Sequence, residues 1–187
     1  MVNCTKRVFG YLKSTKNYSL QFNIKEKSND ILEFYSDADF AGSKVDRKSR
    51  SGWIGKIYGF SFLWNTRKQT SVSVSTPEAE YIALHDAVRD LQWIRTYLAE
   101  LGLKLDKPSN VYCDNTCSGS WANSDHGMNR AKHVDIKNHY VKDIVAIGQA
   151  TIKYVKSDDN EADGFTKPLQ RIKFQTFRDS IGVKHCK

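Results

Sequence analysis

Four acidic residues fall where elements of secondary structure are expected to begin or end: Asp37, Glu80, Asp114 and Asp163. ILEFYSD (31–37) and NVYCD (110–114) read as strands closing on an acid, and SDDNEADGFTKPL (157–169) opens a short acidic helix that carries Asp163. Ends of neighbouring elements in a sheet can meet at one rim. Carboxylates gathered there raise one another's pKa unless cations join them. Oxygen ligands of this kind suit hard cations, Mg²⁺ first and Mn²⁺ as a substitute. Two such ions about 3.5–4 Å apart stabilise the attacking and leaving oxygens of an in-line phosphodiester displacement, with no need of a side-chain nucleophile. Taken singly, Asp37 and Asp114 also read as turn residues after a strand, and Asp163 as a solvated acid in a first helical turn. Asp37 and Asp39 share a strand face, and the pattern does not choose between them.

Glu80 is the acid with the strongest positional signal. STPEAEYIALHDAVRDLQWIRTYLAELG reads as one long helix, with Thr76 as N-cap, Pro77 at the first helical position and Gly102 as the stop. On a wheel of about 100° per residue, Leu84, Ala87, Leu91, Ile94, Leu98 and Leu101 form an apolar face with Glu80 in its middle, and Glu78 falls on the polar side. A carboxylate aimed at a core is costly unless something pairs with it.

The remaining elements must position these acids. Residues 3–15 read as a basic amphipathic helix, 18–24 as a strand, and WIGKIYGFSFLWN (53–65) as an aromatic hairpin turning at Gly59. A weak helix is expected over 115–123, a strong one over 130–148, a strand over 150–156 and a basic terminal helix within 171–187. The 130–148 wheel puts Ile136, Tyr140, Ile144 and Ile147 on one face with His133 among them. Lys132 and His139 lie on the polar side, within reach of phosphate. Hairpin strands followed by alternating elements predict an α/β fold, a mixed sheet with helices against it.

With 29 basic and 21 acidic residues the formal charge is +8 and the pI near 9.3, which points to a polyanionic partner. Lys44, Arg47, Lys48 and Arg50 cluster in the turn after Asp37, where duplex phosphates can dock, and Arg67 and Lys68 extend the patch. The four tryptophans show no stacking pattern, so core roles are expected for Trp53, Trp64, Trp93 and Trp121. Cys4, Cys113, Cys117 and Cys186 have no zinc-site spacing and read as reduced intracellular thiols. No apolar run has the length of a signal peptide or membrane span, so no membrane partner is expected.

Six ordered motifs, YSDADFAGS, DRKSRSG, STPEAEYIAL, VYCDN, RAKHVDIKNHY and ADGFTKPL, resemble the ribonuclease H domain of Ty1/copia-type retrotransposon Pol polyproteins over roughly residues 3–170. The resemblance implies an RNase H-like fold, a five-stranded mixed sheet flanked by helices. It implies Asp37, Glu80, Asp114 and Asp163 as catalytic, metal-holding acids for two Mg²⁺. It also implies cutting of the RNA strand of an RNA–DNA hybrid during reverse transcription, leaving 5′ phosphate and 3′ hydroxyl ends. Asn115, Lys132 and His139 join the basic turn as expected nucleic-acid contacts. Residues 1–30 look like the end of the reverse transcriptase region, the expected partner within the parent polyprotein. Residues 31–170 form the RNase H-like domain and 171–187 a basic tail. The implied setting is intracellular, a cytoplasmic virus-like particle or the nucleus. Three departures stand out. No His precedes Asp163 in YVKSDDNEAD. Gly164 replaces a usual branched residue, which would loosen the fourth acid. Gly10 stands where Arg is usual. The alternatives are a catalytically inactive, domesticated or decayed remnant that binds nucleic acid, and another nuclease or integrase on the same fold.

Overall fold

The computed structural model describes residues 2–22, 30–116 and 132–186, without the side chains of residues 2, 3, 132–135 and 138. Three strands, β2 (Leu32–Asp39), β3 (Arg50–Ile57) and β4 (Phe60–Lys68), form an antiparallel meander. Tyr58 and Gly59 join β3 to β4 with φ values of 50° and 80°. A two-residue hairpin turn requires positive φ at both positions, and a glycine supplies one without strain. Helix α2 (Thr76–Glu100) then crosses over to β5 (Ser109–Cys113), which runs parallel to β2. Helix α3 (Lys132–Ala146) leads to β6 (Ala150–Tyr154), parallel to β5. The result is the expected five-stranded mixed sheet, in the order β4-β3-β2-β5-β6.

Both chain ends lie outside this sheet. Helix α1 (Val2–Ser14) precedes β1 (Tyr18–Leu20), which pairs antiparallel with β7 (Val183–His185) at the other terminus. Between β6 and β7 come a 3-10 turn (Ser157–Asp159), a one-turn helix α4 (Asp163–Thr166) and helix α5 (Arg171–Ser180).

One sheet face holds the apolar core. Phe34, Trp53 and Val111 meet Leu84, Ala87, Val88, Leu91 and Ile94 of α2 and Val141 and Ile144 of α3. Helix α2 begins one residue earlier than the Thr76 cap implied. Ser75 is the N-cap, and its hydroxyl accepts from the Glu78 N–H at 3.3 Å. Gly102 ends the helix as expected, with φ 84°. Two wheel assignments need correction. Glu78 is buried, because the strand-side loop folds over the first turn and the Val74 N–H donates to its carboxylate at 2.8 Å. In α3 the buried stripe runs through Val141 and Ile144, which leaves Ile136 and Ile147 exposed. Val141 sits about 140° around the helix from Ile136, so a stripe centred on Val141 cannot also cover Ile136.

The other sheet face is polar. Register places Glu33, Tyr35 and Asp37 opposite Lys56, Ile54 and Gly52. A Cβ on Gly52 would lie 2.8 Å from atoms of both Phe165 and Thr166, so this glycine lets α4 settle directly against β3. Gly164 proves equally constrained. A Cβ there would lie 2.6 Å from the Phe177 ring, so the missing side chain is the space that α5 fills. Restoring a branched residue by Gly164→Val is expected to lower stability by about 1–3 kcal/mol through overpacking, read as a fall in thermal midpoint. A higher midpoint would contradict this packing. Gly10 has open space around it, and nothing in the structure explains it.

Candidate active site

Parallel pairing brings the first two acids together. Ser36 of β2 faces Cys113 of β5, so Asp37 and Asp114 are the next positions on adjacent strands, about 4.8 Å apart in the pairing direction. Helix α2 packs on β2 and delivers Glu80 from its second turn to the same point. Ligand oxygens of Asp37, Glu80 and Asp114 all lie within 4.8 Å of one another. Asp37 and Glu80 are 2% and 5% exposed, while Asp114 is half-buried at the rim. Asp39 does not belong to this group.

Electrostatics mark the site as strained for protein alone. Burial, followed by the Asp37 and Asp114 charges, pushes Glu80 up to about 9. Burial also raises Asp37 to about 6, against the opposing hydrogen bond from Thr166. The buried Oε2 of Glu80 has no hydrogen-bond partner among the described residues. A buried carboxylate oxygen without a donor is unfavourable, and a cation would relieve it.

Neighbouring groups hold two acids in place. The Thr166 hydroxyl donates to Asp37 Oδ2, and the Ser157 hydroxyl donates to Asp114 Oδ2 at 2.6 Å. Asn160 pins the connecting loop to β2 by donating to the Ser36 carbonyl at 2.9 Å and accepting from the Ala162 N–H at 3.1 Å. Asp163 stands apart from the three-acid group. Its carboxylate is ion-paired with Lys167, although its charge still raises Asp37. Sequence reasoning missed Ser157, Asn160, Thr166 and Lys167. The signal was their crowding around Asp163 in SDDNEADGFTK, but partnership across 40 to 130 residues leaves no periodicity to read.

The basic positions are distributed as follows. Lys44 and Arg47 are exposed and Lys48 is half-buried, in a turn closed by the Arg47 N–H donating to the Ser43 carbonyl at 2.9 Å. Arg50 is exposed and faces Asp39, two residues along β2 from Asp37. Arg67 and Lys68 turn to carboxylates, Asp86 and Asp46, at 2.6 and 2.7 Å. Asn115 follows Asp114 directly, and His139 is exposed on α3. The Lys132 and His133 side chains, Cys117, Trp121 and nearly all of the expected 115–123 helix lie outside the described residues. Trp53 is in the core as expected. Trp64 and Trp93 are exposed instead, Trp93 stacking on Tyr97 at 5.8 Å, because the faces of β4 and α2 that carry them point away from the sheet–helix core. Cys113 is buried, with its thiol pushed up to about 12 by burial, and it belongs to no zinc set among the described residues. Among the described residues no helix is long and apolar enough to cross a membrane.

No protein-family model matches the chain. It is 36% identical to the retrovirus-related Pol polyprotein from transposon RE1 of Arabidopsis thaliana over 179 residues, 95% of this chain and 12% of that one. It is 32% identical to the Pol polyprotein from transposon TNT 1-94 of Nicotiana tabacum, over 95% of this chain and 13% of that one. The relatives that match along nearly the whole of this chain are Pol polyproteins of copia-type transposons. The chain thus spans about an eighth of the length of these Pol polyproteins. Solved RNase H structures share the fold of this chain. LC11-RNase H1 in complex with RNA/DNA hybrid superposes with a TM-score of 0.55 at 15% identity, covering 72% of this chain and 93% of that one. RNase H1 from Halobacterium salinarum gives 0.51 at 17% identity, over 72% and 93%.

Proposed function

We propose that this chain is the ribonuclease H segment of a Pol polyprotein, a metal-dependent endoribonuclease that cuts the RNA strand of RNA–DNA hybrids. The observation that carries the reading is the convergence of Asp37, Glu80 and Asp114, with a buried Glu80 oxygen left without a donor. An all-carboxylate donor set of this kind fits Mg²⁺, with Mn²⁺ as a substitute. Asp37, Glu80 and Asp114, joined by Asp163 once it is released from Lys167, would hold two such ions. When bound, such ions supply an activated water and neutralise charge on the phosphate oxygens. Thr166 keeps one Asp37 oxygen oriented, and Ser157 does the same for Asp114. The turn with Lys44, Arg47 and Lys48, together with Arg50 at the start of β3, holds backbone phosphates, and the rim around Asp114 admits the duplex. Support for a hybrid substrate comes from LC11-RNase H1, which shares the fold and was solved with RNA/DNA hybrid. In this reading residues 1–30 continue the reverse transcriptase region, residues 31–170 do the cutting and 171–187 form a basic tail.

The test is hydrolysis of an end-labelled hybrid with Mg²⁺, beside the same RNA in an RNA duplex. Wild type should cut the hybrid only, and Asp37→Asn should cut at least about a thousandfold more slowly. Equal rates for wild type and variant would end the proposal. The ion pair between Asp163 and Lys167 favours a second reading, a module that binds hybrid without cutting. It would show hybrid affinity in wild type and no product at any Mg²⁺ or Mn²⁺ concentration.

A further inference from the structure

Away from the acid site, a single buried carboxylate gathers cations from three elements. Asp86 of α2 is 1% exposed. Arg67 of β4 reaches its Oδ2 at 2.6 Å, the His85 ring lies 3.3 Å from Oδ1, and Arg89 approaches the same oxygen at 3.8 Å. Lys137 of α3 stands close enough to feel all three charged neighbours. Its pKa is lowered first by burial and further by Arg67 and Arg89, with Asp86 opposing. One carboxylate needs one strong cation, which Arg67 supplies. Arg89 also meets Asp90 at 2.9 Å, so Arg67, Arg89 and Lys137 share two acids. The Arg67 and Arg89 side chains are 47% and 44% exposed, while Asp86 holds Arg67 and Asp90, with Asp86 behind it, holds Arg89. Cations held in this way have already lost their rotamer freedom, so an anion binding them orders little further.

We infer that Arg67 and Arg89, organised by Asp86, form with the neighbouring Lys137 a phosphate platform that grips the backbone of the same duplex whose scissile bond lies over the acids. The inference rests on the hybrid-nuclease reading. Two routes give the spacing. Asp86 follows Glu80 by six residues on α2, about 9 Å along the axis. Arg67 adjoins Thr66, which faces Gly52, which faces Asp37, about two strand spacings or 10 Å. Either figure is about three base-pair rises, so one duplex spans both places. Phosphate contacts of this kind set register without reading sequence.

Binding of a fluorescent 18-base-pair RNA–DNA hybrid in EDTA, where no cutting occurs, tests the platform over a range of salt. For Arg89→Gln/Lys137→Gln the slope of log affinity against log salt should become shallower by about one, with about tenfold weaker binding near 0.1 M salt. Lys104→Gln, beyond the far end of α2, removes one charge and should leave the slope unchanged. Lys137→Gln alone leaves all three contacts of Asp86 in place. It serves if the double variant does not fold, and should itself weaken binding severalfold. Unchanged slope and affinity in either folded variant, or an equal loss in Lys104→Gln, would overturn the platform and leave the nuclease reading standing. Failure of wild type to bind hybrid at all would overturn both.

Discussion

Glu80→Gln should abolish cutting and, in the absence of metal, make the protein more stable. The two effects share one cause. Folding moves Glu80 from its ordinary 4.5 to about 9, because burial and the Asp37 and Asp114 charges disfavour its ionised form. Between those values the folded state binds a proton that the unfolded state has released. Metal-free stability therefore falls as pH rises from about 4.5 towards 9, by an amount on the order of a few kcal/mol. Asp37 adds a smaller loss of the same sign between 3.8 and about 6. A glutamine at position 80 carries no charge at any pH. In EDTA at pH 8 its thermal midpoint should exceed that of wild type by about 2–4 °C for each kcal/mol recovered. Its midpoint should also vary less with pH. Added Mg²⁺ should raise the midpoint of wild type far more than that of the variant, and hybrid cutting should fall about a thousandfold, roughly 4 kcal/mol. A variant that melts lower than wild type in EDTA would show that Glu80 already has a satisfactory protein environment.

That a carboxylate occupies such a position was legible in the helix wheel, because an acid in the middle of an apolar stripe contradicts the pattern around it. The sheet was legible for a similar reason. Alternation in 31–37 and 53–65, a hairpin glycine and a capped crossover helix each point to one element, and the elements combine in few ways. Parallel register then accounts for the meeting of Asp37 with Asp114. What could not be read depends on partners distant in sequence. Glu78 lies on the polar side of its wheel yet is buried by a loop. Gly164 resembles drift until Phe177 is seen to occupy its side-chain space. Thr166 lies 129 residues from Asp37, to which it donates a hydrogen bond. Asp86 reads as an ordinary helical acid until Arg67 arrives from the hairpin.

Lys56→Met should be among the most destabilising single changes in the chain, although Lys56 lies in a β-strand and touches no acid of the site. Its side chain is 7% exposed and ion-paired with Glu161, and its ammonium also donates to the Ser180 carbonyl at 3.3 Å. Across the strand it faces Glu33, which burial raises to about 7 and which Lys56 holds from rising further. Removing the ammonium leaves the buried Glu33 and the half-buried Glu161 without their cation, a loss of about 3 kcal/mol near pH 8. The sign of the pH dependence follows. In wild type the stability tied to Glu33 is lost as pH rises from about 4.5 through about 7. Without Lys56 the folded-state pKa values of Glu33 and Glu161 climb, so the loss continues to higher pH. Well below pH 4.5, where both carboxyls are protonated folded or unfolded, the variant should approach wild type. Glu161→Gln added to Lys56→Met should recover much of the deficit at pH 8, since a buried pair is costlier to halve than to neutralise. The loss should also reach the site. Glu161 immediately follows Asn160 and leads into Asp163 and Thr166, so Lys56 anchors to the sheet the loop that steadies Asp37. Calorimetric Mg²⁺ affinity should therefore fall in the Lys56 variant even at temperatures where it remains folded. Unfolding curves that coincide with wild type at pH 8 would show that the polar face of the sheet holds this loop without its lysine.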